Sequence, residues 1–185
     1  MKFIGNRISF QNKDNIFSVV IAANVEKAYE RLLLAWLILW TLSGTYFIYS
    51  LFGDYSRELK MYIAILLSFW LYYEIKIGRV YFWRKSGYES IRFIEDKLVL
   101  KRVLLGKSSP KTYFVQNIKE IYVDMPKQTQ FYEVLHNSFW VMGRPYLSFE
   151  HQGDIVSFGR QLNEQERKAL HQVLTKELNQ RKKKS

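Results

Sequence analysis

Residues 32–52 read LLLAWLILWTLSGTYFIYSLF, which is 21 consecutive positions without a charged side chain. About 20 such residues, at a rise of ~1.5 Å each, cross the ~30 Å hydrocarbon core of a bilayer. A soluble domain rarely contains an uncharged run of this length. The stretch therefore predicts a transmembrane helix over about 32–52, and the alternative is a buried core helix.

A second apolar run, MYIAILLSFWLYY, covers residues 61–73 and is too short to span a bilayer alone. It continues as EIKIGRVYFW, so an unbroken helix over about 59–83 would be long enough. Glu74, Lys76 and Arg79 would then lie near one membrane face, where long side chains reach water, and Glu74 is expected to be ion-paired there. Together the two runs predict a transmembrane helical hairpin over 31–84.

The charge distribution predicts the orientation of this hairpin. The net charge is +11, yet the connector 53–60 is neutral, with two acidic and two basic residues. Basic residues flank the hairpin on its other side, namely Lys27, Arg31, Lys76, Arg79, Arg84 and Lys85. The positive-inside rule then puts both termini in the cytoplasm and the short connector outside. An anionic lipid leaflet explains the basic composition more simply than a nucleic acid does, so no nucleic-acid partner is expected.

The first 30 residues predict a β-hairpin and a lead-in to the first helix. Two β-prone segments, Arg7 to Gln11 and Ile16 to Ile21, flank the turn formers of residues 12–15. A lone two-stranded hairpin is only marginally stable in water. Because the hairpin lies on the same side of the membrane as the C-terminal region, we expect it to pack near that domain.

Residues 85–180 predict a small cytoplasmic β-domain closed by a helix. Short strands with partly alternating apolar positions are expected at 88–94, 97–105, 111–115, 118–123, 146–151 and 155–158. Asn163 with Glu166 matches a capping box, so a helix should run from Glu164 to about Gln180 with one apolar stripe against the sheet. Residues 181–185 are predicted to be a disordered basic tail.

An unusually aromatic segment, residues 128–142, interrupts the strands. If the segment is helical, its apolar residues form one stripe. One interpretation is an insertion packed on its own sheet; the other is a contact surface for the membrane or a protein partner. The residues assigned to that surface are Phe131, Leu135, Phe139, Trp140 and Met142.

Three stretches carry a resemblance to a known group of proteins: residues 87–91 (GYESI), 94–100 (IEDKLVL) and 155–166 (IVSFGRQLNEQE). With the hairpin before them, they resemble small bacterial inner-membrane proteins whose C-terminal domain is similar to bacterial pleckstrin-homology domains. The resemblance covers about residues 60–180. It implies a membrane α + β fold with a pleckstrin-homology-like sandwich or barrel, and a membrane location, but no activity.

The sequence contains no cysteine and no recognisable catalytic, phosphate-binding or zinc-protease motif, and its three histidines are scattered. No catalytic residue, cofactor, metal or small-molecule substrate is therefore predicted. The favoured function is a non-enzymatic inner-membrane subunit or adaptor that packs with a larger membrane complex. The alternatives are an anionic-lipid sensor and an assembly factor for a membrane enzyme. The residues assigned to anionic lipid are Arg84, Lys85, Arg181, Lys182, Lys183 and Lys184.

Overall fold

The structure is a computed structural model, and it describes residues 2–23, 27–124, 138 and 140–184. For Lys184 it describes the backbone only. Three helices lie in these ranges: α1 (Lys27–Ser50), α2 (Arg57–Ser86) and α3 (Glu164–Lys184). The strands are β1 (Lys2–Ile4), β2 (Ile8–Lys13), β3 (Ile16–Ala22), β4 (Tyr88–Ile94), β5 (Lys97–Leu104), β6 (Lys107–Ser108), β7 (Lys111–Phe114), β8 (Ile118–Val123), β9 (Pro145–His151) and β10 (Asp154–Arg160).

The strands form two antiparallel sheets that share one hydrophobic core with α3. The larger sheet has seven strands in the order β1-β2-β3-β4-β5-β6, with β7 also paired to β5; the smaller has the order β10-β9-β8. Phe93 of the first sheet, Phe149 of the second and Leu170 of α3 are all fully buried in this core. The described strands form two open sheets and not a closed barrel. The predicted combination of α-helices and antiparallel sheets is confirmed at this coarser level, whereas the predicted pleckstrin-homology-like sandwich or barrel is not.

The predicted N-terminal hairpin is confirmed, with a tighter turn than expected. Asn12 and Lys13 continue β2, so the connection to β3 has only two residues, Asp14 and Asn15. Both have positive φ, 52° and 60°, which is the conformation that a two-residue type I′ hairpin turn requires. Aspartate and asparagine adopt it at lower cost than most side chains. The four-residue loop predicted from the sequence was therefore wrong.

The helical hairpin is inserted between two neighbouring strands of the larger sheet. β3 pairs with β4 along its length, from Phe17 opposite Phe93 to Ala22 opposite Tyr88, and the amide of Ala23 donates to the carbonyl of Gly87 at 3.0 Å. The chain leaves the sheet at the end of β3 and returns at the start of β4. Residues 2–22 therefore belong to the same sheet as β4 to β7. The two ends of the helical hairpin α1–α2 are held next to each other by the pairing of β3 with β4.

Helices α1 and α2 are both long and apolar enough to cross a membrane. Only 11% and 6% of their apolar windows are buried inside the chain, whereas a core helix of a soluble protein is mostly buried. The alternative of two buried core helices is therefore not supported. The helices pack closely where the indole N–H of Trp70 donates to the carbonyl of Trp40 at 2.8 Å. A methyl group on Gly44 would lie within 2.0 Å of the Trp70 ring, so only glycine fits there.

The last helix begins as predicted and ends later. The Glu166 amide donates to Asn163 Oδ1 at 2.8 Å, and the Asn163 amide donates to Glu166 Oε2 at 2.9 Å, which confirms the capping box. The helix continues to Lys184 instead of ending near Gln180, so residues 181–184 are its last turn and not a disordered tail. Ser185 lies outside the described residues.

Candidate functional site

Helix α2 changes its environment abruptly at Ile77. All of its buried residues lie between Ile77 and Arg84, whereas the preceding turns expose large apolar side chains such as Phe69 and Leu71. Counted from Arg57, about 20 residues at ~1.5 Å each cross ~30 Å, which also ends at Lys76 or Ile77. Helix length and burial thus place the same boundary, where the helix passes from an exposed apolar span into the folded domain.

A second hydrophobic cluster lies at this boundary and joins the hairpin to the segment before β9. Its buried members are Leu33 of α1 and three residues of α2, and its half-buried members include Trp36, Trp140 and Met142. The rings of Trp36 and Trp140 meet edge to face, with centroids 5.2 Å apart. The base of the hairpin is therefore packed against the domain and not only tethered by its two strands.

Arg84 ties the same segment to α2. Its side chain is 8% exposed, and one guanidinium nitrogen donates to the carbonyls of Ser138 and Val141 at 3.2 and 3.1 Å. The described hydrogen bonds of this guanidinium are thus with main-chain carbonyls. The assignment of Arg84 to anionic lipid is not supported by this position.

Next to this cluster, and sharing Val80, Trp140 and Met142 with it, lies a groove of about 540 Å³ between α2 and residues 140–143. Its apolar lining comes from both walls, including Ile75, Val80 and Met142. Three basic side chains also line it, Lys76, Arg79 and Arg160, and no acidic residue of the described chain does. The groove therefore combines apolar walls with positive charge at the point where α2 leaves its exposed span.

The basic groups of the groove differ in how they are held. Arg160 donates to the carbonyl of Gly143 at 2.7 Å and lies 3.9 Å from the carboxylate of Glu89. Burial, reinforced by the charge of Arg102 and opposed by that of Glu89, lowers the pKa of Arg160 from its usual value. Lys76 lies over the rings of Tyr72 and Tyr73, at 5.6 and 5.9 Å from their centroids. Lys76 and Arg79 are exposed, and no carboxylate in the described chain is within ion-pair distance of either.

Glu89 lies in the core behind the groove and contacts the strand that carries Arg160. It is 1% exposed and accepts from Arg102 Nε at 2.9 Å, from the Gly159 amide at 2.6 Å and from the Arg160 amide at 3.2 Å. Glu89 belongs to β4 and Gly159 to β10, so one carboxylate joins the two sheets. A buried carboxylate with three donors is satisfied and not reactive, which makes it a structural group.

The contact surface predicted for residues 128–142 is described only at its end. Phe131, Leu135 and Phe139 lie outside the described residues. Trp140 and Met142 pack on the hairpin's own base, and both also line the groove. The groove leaves one side of both residues open, and their contact with a membrane or a partner stays a prediction.

The other residues assigned to anionic lipid differ in their exposure and in their contacts. Lys85 is exposed and contacts the Tyr81 ring and hydroxyl, and Lys183 is exposed in the last turn of α3. Lys182 donates to the Lys119 carbonyl at 2.9 Å, and for Lys184 only the backbone is described. Arg181 is 7% exposed and bonded to Glu177, so its assignment to lipid is not supported by its position.

Glu74 does not form the ion pair that was expected from its closeness in sequence to Lys76 and Arg79. Its Oε1 accepts from the Thr41 hydroxyl at 2.8 Å, so it joins α1 to α2 across the hairpin. Helical geometry explains the difference, because residues two apart point in different directions while Thr41 faces Glu74 from the other helix. Its second oxygen is buried without a hydrogen-bond partner within the described ranges.

Arg160 and Glu89 were missed in the sequence, because each is an ordinary charge in a strand. The groups that Glu89 contacts lie in other strands, so no local pattern of the sequence distinguished either residue. No cluster of three potential metal ligands exists among the described residues. Of the histidines, His171 contacts the carbonyl of Ile121 at 2.8 Å, and His136 lies outside the described part of the chain.

Comparison with known proteins finds no matching protein-family model, no matching curated protein and no matching solved structure. The class of this protein therefore rests on its own architecture. It is an α + β protein in which a hairpin of two candidate membrane-spanning helices is inserted into an antiparallel sheet.

Proposed function

We propose that this chain is a non-enzymatic inner-membrane subunit or adaptor. Its hairpin packs with a larger membrane complex, and its cytoplasmic domain, similar in plan to a pleckstrin-homology domain, is a docking surface. The observation that carries the proposal is the clamped insertion of the hairpin between β3 and β4 together with the cluster at its base. Such a joint holds the domain in a defined orientation against the bilayer, as a docking platform requires.

The exposed faces of the hairpin support the packing role. The two helices cover little of each other, and large apolar side chains such as Leu39 and Phe69 remain 68% and 65% exposed. In a bilayer these faces meet lipid or the helices of another protein. Close helix packing of this kind uses shape and small residues, and does not depend on salt.

The proposed orientation has both termini in the cytoplasm and the connector outside. The native chain has no cysteine, so single cysteines can be introduced at two serines, Ser56 in the connector and Ser109 on the folded domain. Both are exposed. We expect an impermeant maleimide to label S56C in intact cells and S109C only after lysis. Labelling of S109C alone in intact cells would overturn the orientation.

The packing role is tested by photo-crosslinking in the native membrane. A photoreactive phenylalanine analogue is placed singly at Leu39, Leu42, Phe69 or Tyr72, which are all exposed along the hairpin. With the chain at its native expression level, we expect a discrete protein adduct of one mass at the positions of one face and none at the others. Unirradiated membranes are the control. If every position gives lipid adducts only, the hairpin is a simple anchor and the subunit proposal fails.

A further inference from the structure

We propose that the groove between α2 and residues 140–143 binds the headgroup of one anionic phospholipid from the cytoplasmic leaflet. The inference rests on the membrane placement in the proposed function, and it adds a ligand site that an adaptor does not need. It differs from the lipid contacts expected from the sequence, which were Arg84, Lys85 and the basic residues 181–184.

The depth of the groove fits a headgroup. Lys76 and Arg79 lie at the end of the ~30 Å span that begins at Arg57, one turn apart on α2. The burial pattern of α2 independently places the end of its exposed apolar span at Ile77. Phosphate groups of the cytoplasmic leaflet lie just beyond the hydrocarbon core, which is the level of these two cations.

The charge of the groove selects an anion. Three basic side chains line it with no carboxylate from the described residues, and two of them, Lys76 and Arg79, lack an ion-pair partner there. Arg160 contributes its charge from a fixed position, because its guanidinium is bonded to the Gly143 carbonyl. Guanidinium and ammonium groups bind phosphate by charge-assisted hydrogen bonds.

The walls of the groove fit the first part of an acyl chain and not a free anion. Ile75 and Val80 on one side and Val141 and Met142 on the other are apolar, and Tyr72 and Trp140 are aromatic residues of the kind that lie at membrane interfaces. A soluble phosphate would leave this apolar surface exposed to water. A phospholipid covers it and places its phosphate among the cations.

The test is native mass spectrometry of the full chain in a neutral detergent, titrated with short-chain lipids. The probes are dioctanoyl phosphatidylglycerol, dioctanoyl phosphatidylcholine with the same acyl chains, and glycerol 3-phosphate with no acyl chain. We expect one phosphatidylglycerol to be retained, phosphatidylcholine to bind more weakly and glycerol 3-phosphate not to bind. Equal binding of glycerol 3-phosphate would make the ligand a free phosphate and would overturn the proposal.

The double variant Lys76→Gln/Arg79→Gln removes the two unpaired cations. We expect it to weaken phosphatidylglycerol binding roughly thirtyfold, the factor for two basic groups near an anionic surface, and to leave phosphatidylcholine binding unchanged. The matched control, Lys107→Gln/Lys111→Gln, removes the same charge from exposed positions on the domain and should change binding less than threefold. Both variants should keep the thermal midpoint of the wild type, because all four side chains are exposed.

Two results contradict the inference. One is an unchanged affinity in the α2 variant, and the other is an equal loss in both variants, which indicates general attraction to a basic surface. Membrane fractionation separates this failure from that of the proposed function. A wild-type chain that extracts with detergent only, yet shows no preference for phosphatidylglycerol, keeps its anchored role and lacks the lipid site.

Discussion

Replacing Glu89 with alanine is expected to lower the free energy of unfolding by about 3–5 kcal/mol, the usual cost of breaking a buried charged pair from one side. The carboxylate is 1% exposed and joins β4 of the larger sheet to the Gly159 amide of the smaller one. Its loss leaves that buried amide without an acceptor and Arg160 without its nearest counter-charge.

The measurement is urea unfolding of the full chain in a non-ionic detergent, followed by near-ultraviolet circular dichroism. Glu150→Ala is the matched control, because Glu150 forms an exposed pair with Lys119 at 2.7 Å and should cost at most ~1 kcal/mol. Glu89→Gln retains one acceptor oxygen and should fall between the two. If Glu89→Ala costs no more than Glu150→Ala, the carboxylate does not join the sheets.

Replacing Arg181 with alanine is expected to cost a similar amount, about 3–5 kcal/mol, because it leaves the carboxylate of Glu177 buried without a partner. Arg181 donates to Glu177 at 2.8 Å, to the Glu95 carbonyl at 3.2 Å and to the Asn15 carbonyl at 2.6 Å. Asn15 and Glu95 are in the turns after β2 and β4. One guanidinium therefore fastens the end of α3 to two hairpin turns of the larger sheet.

A matched variant separates this role from lipid binding. Lys183→Ala changes an exposed residue of the same helical turn and should leave stability within about 0.5 kcal/mol. The double variant Arg181→Ala/Glu177→Ala should recover part of the loss, since it removes the uncompensated charge. If Arg181→Ala instead weakens sedimentation with anionic vesicles and leaves urea unfolding unchanged, Arg181 is a lipid contact after all.

The sequence predicted those features that depend on local patterns. The uncharged run of 32–52 and the longer mixed run of 59–83 predicted two long apolar helices, since length and absence of charge are properties of the chain itself. Asn163 and Glu166 predicted the start of α3, because a capping box involves residues only three apart. Most strands were placed within one or two residues by their turn formers and apolar alternation. The orientation in the membrane, the pleckstrin-homology resemblance and the partner complex stay predictions.

Other features depend on groups that are far apart in the chain, so no local pattern predicts them. Arg181 and Arg84 look like surface cations in a basic context, yet each is buried, and its guanidinium donates to carbonyls more than 50 residues away. Similarly, the turn between β2 and β3 has two residues instead of four, because Asn12 and Lys13 pair with Phe17 and Ile16 and so extend the strands.

Local sequence patterns were therefore enough to predict a pair of helices long and apolar enough for a bilayer, with β-strands before and after them and a capped helix at the end. Each of these follows from neighbouring residues within one element. The tertiary structure alone decided that β3 and β4 are adjacent, that Glu89 joins the two sheets, and that Lys76, Arg79 and Arg160 line one groove. The reason is physical: pairing and burial depend on where distant segments meet, and a charge reveals its partner only after the chain has folded.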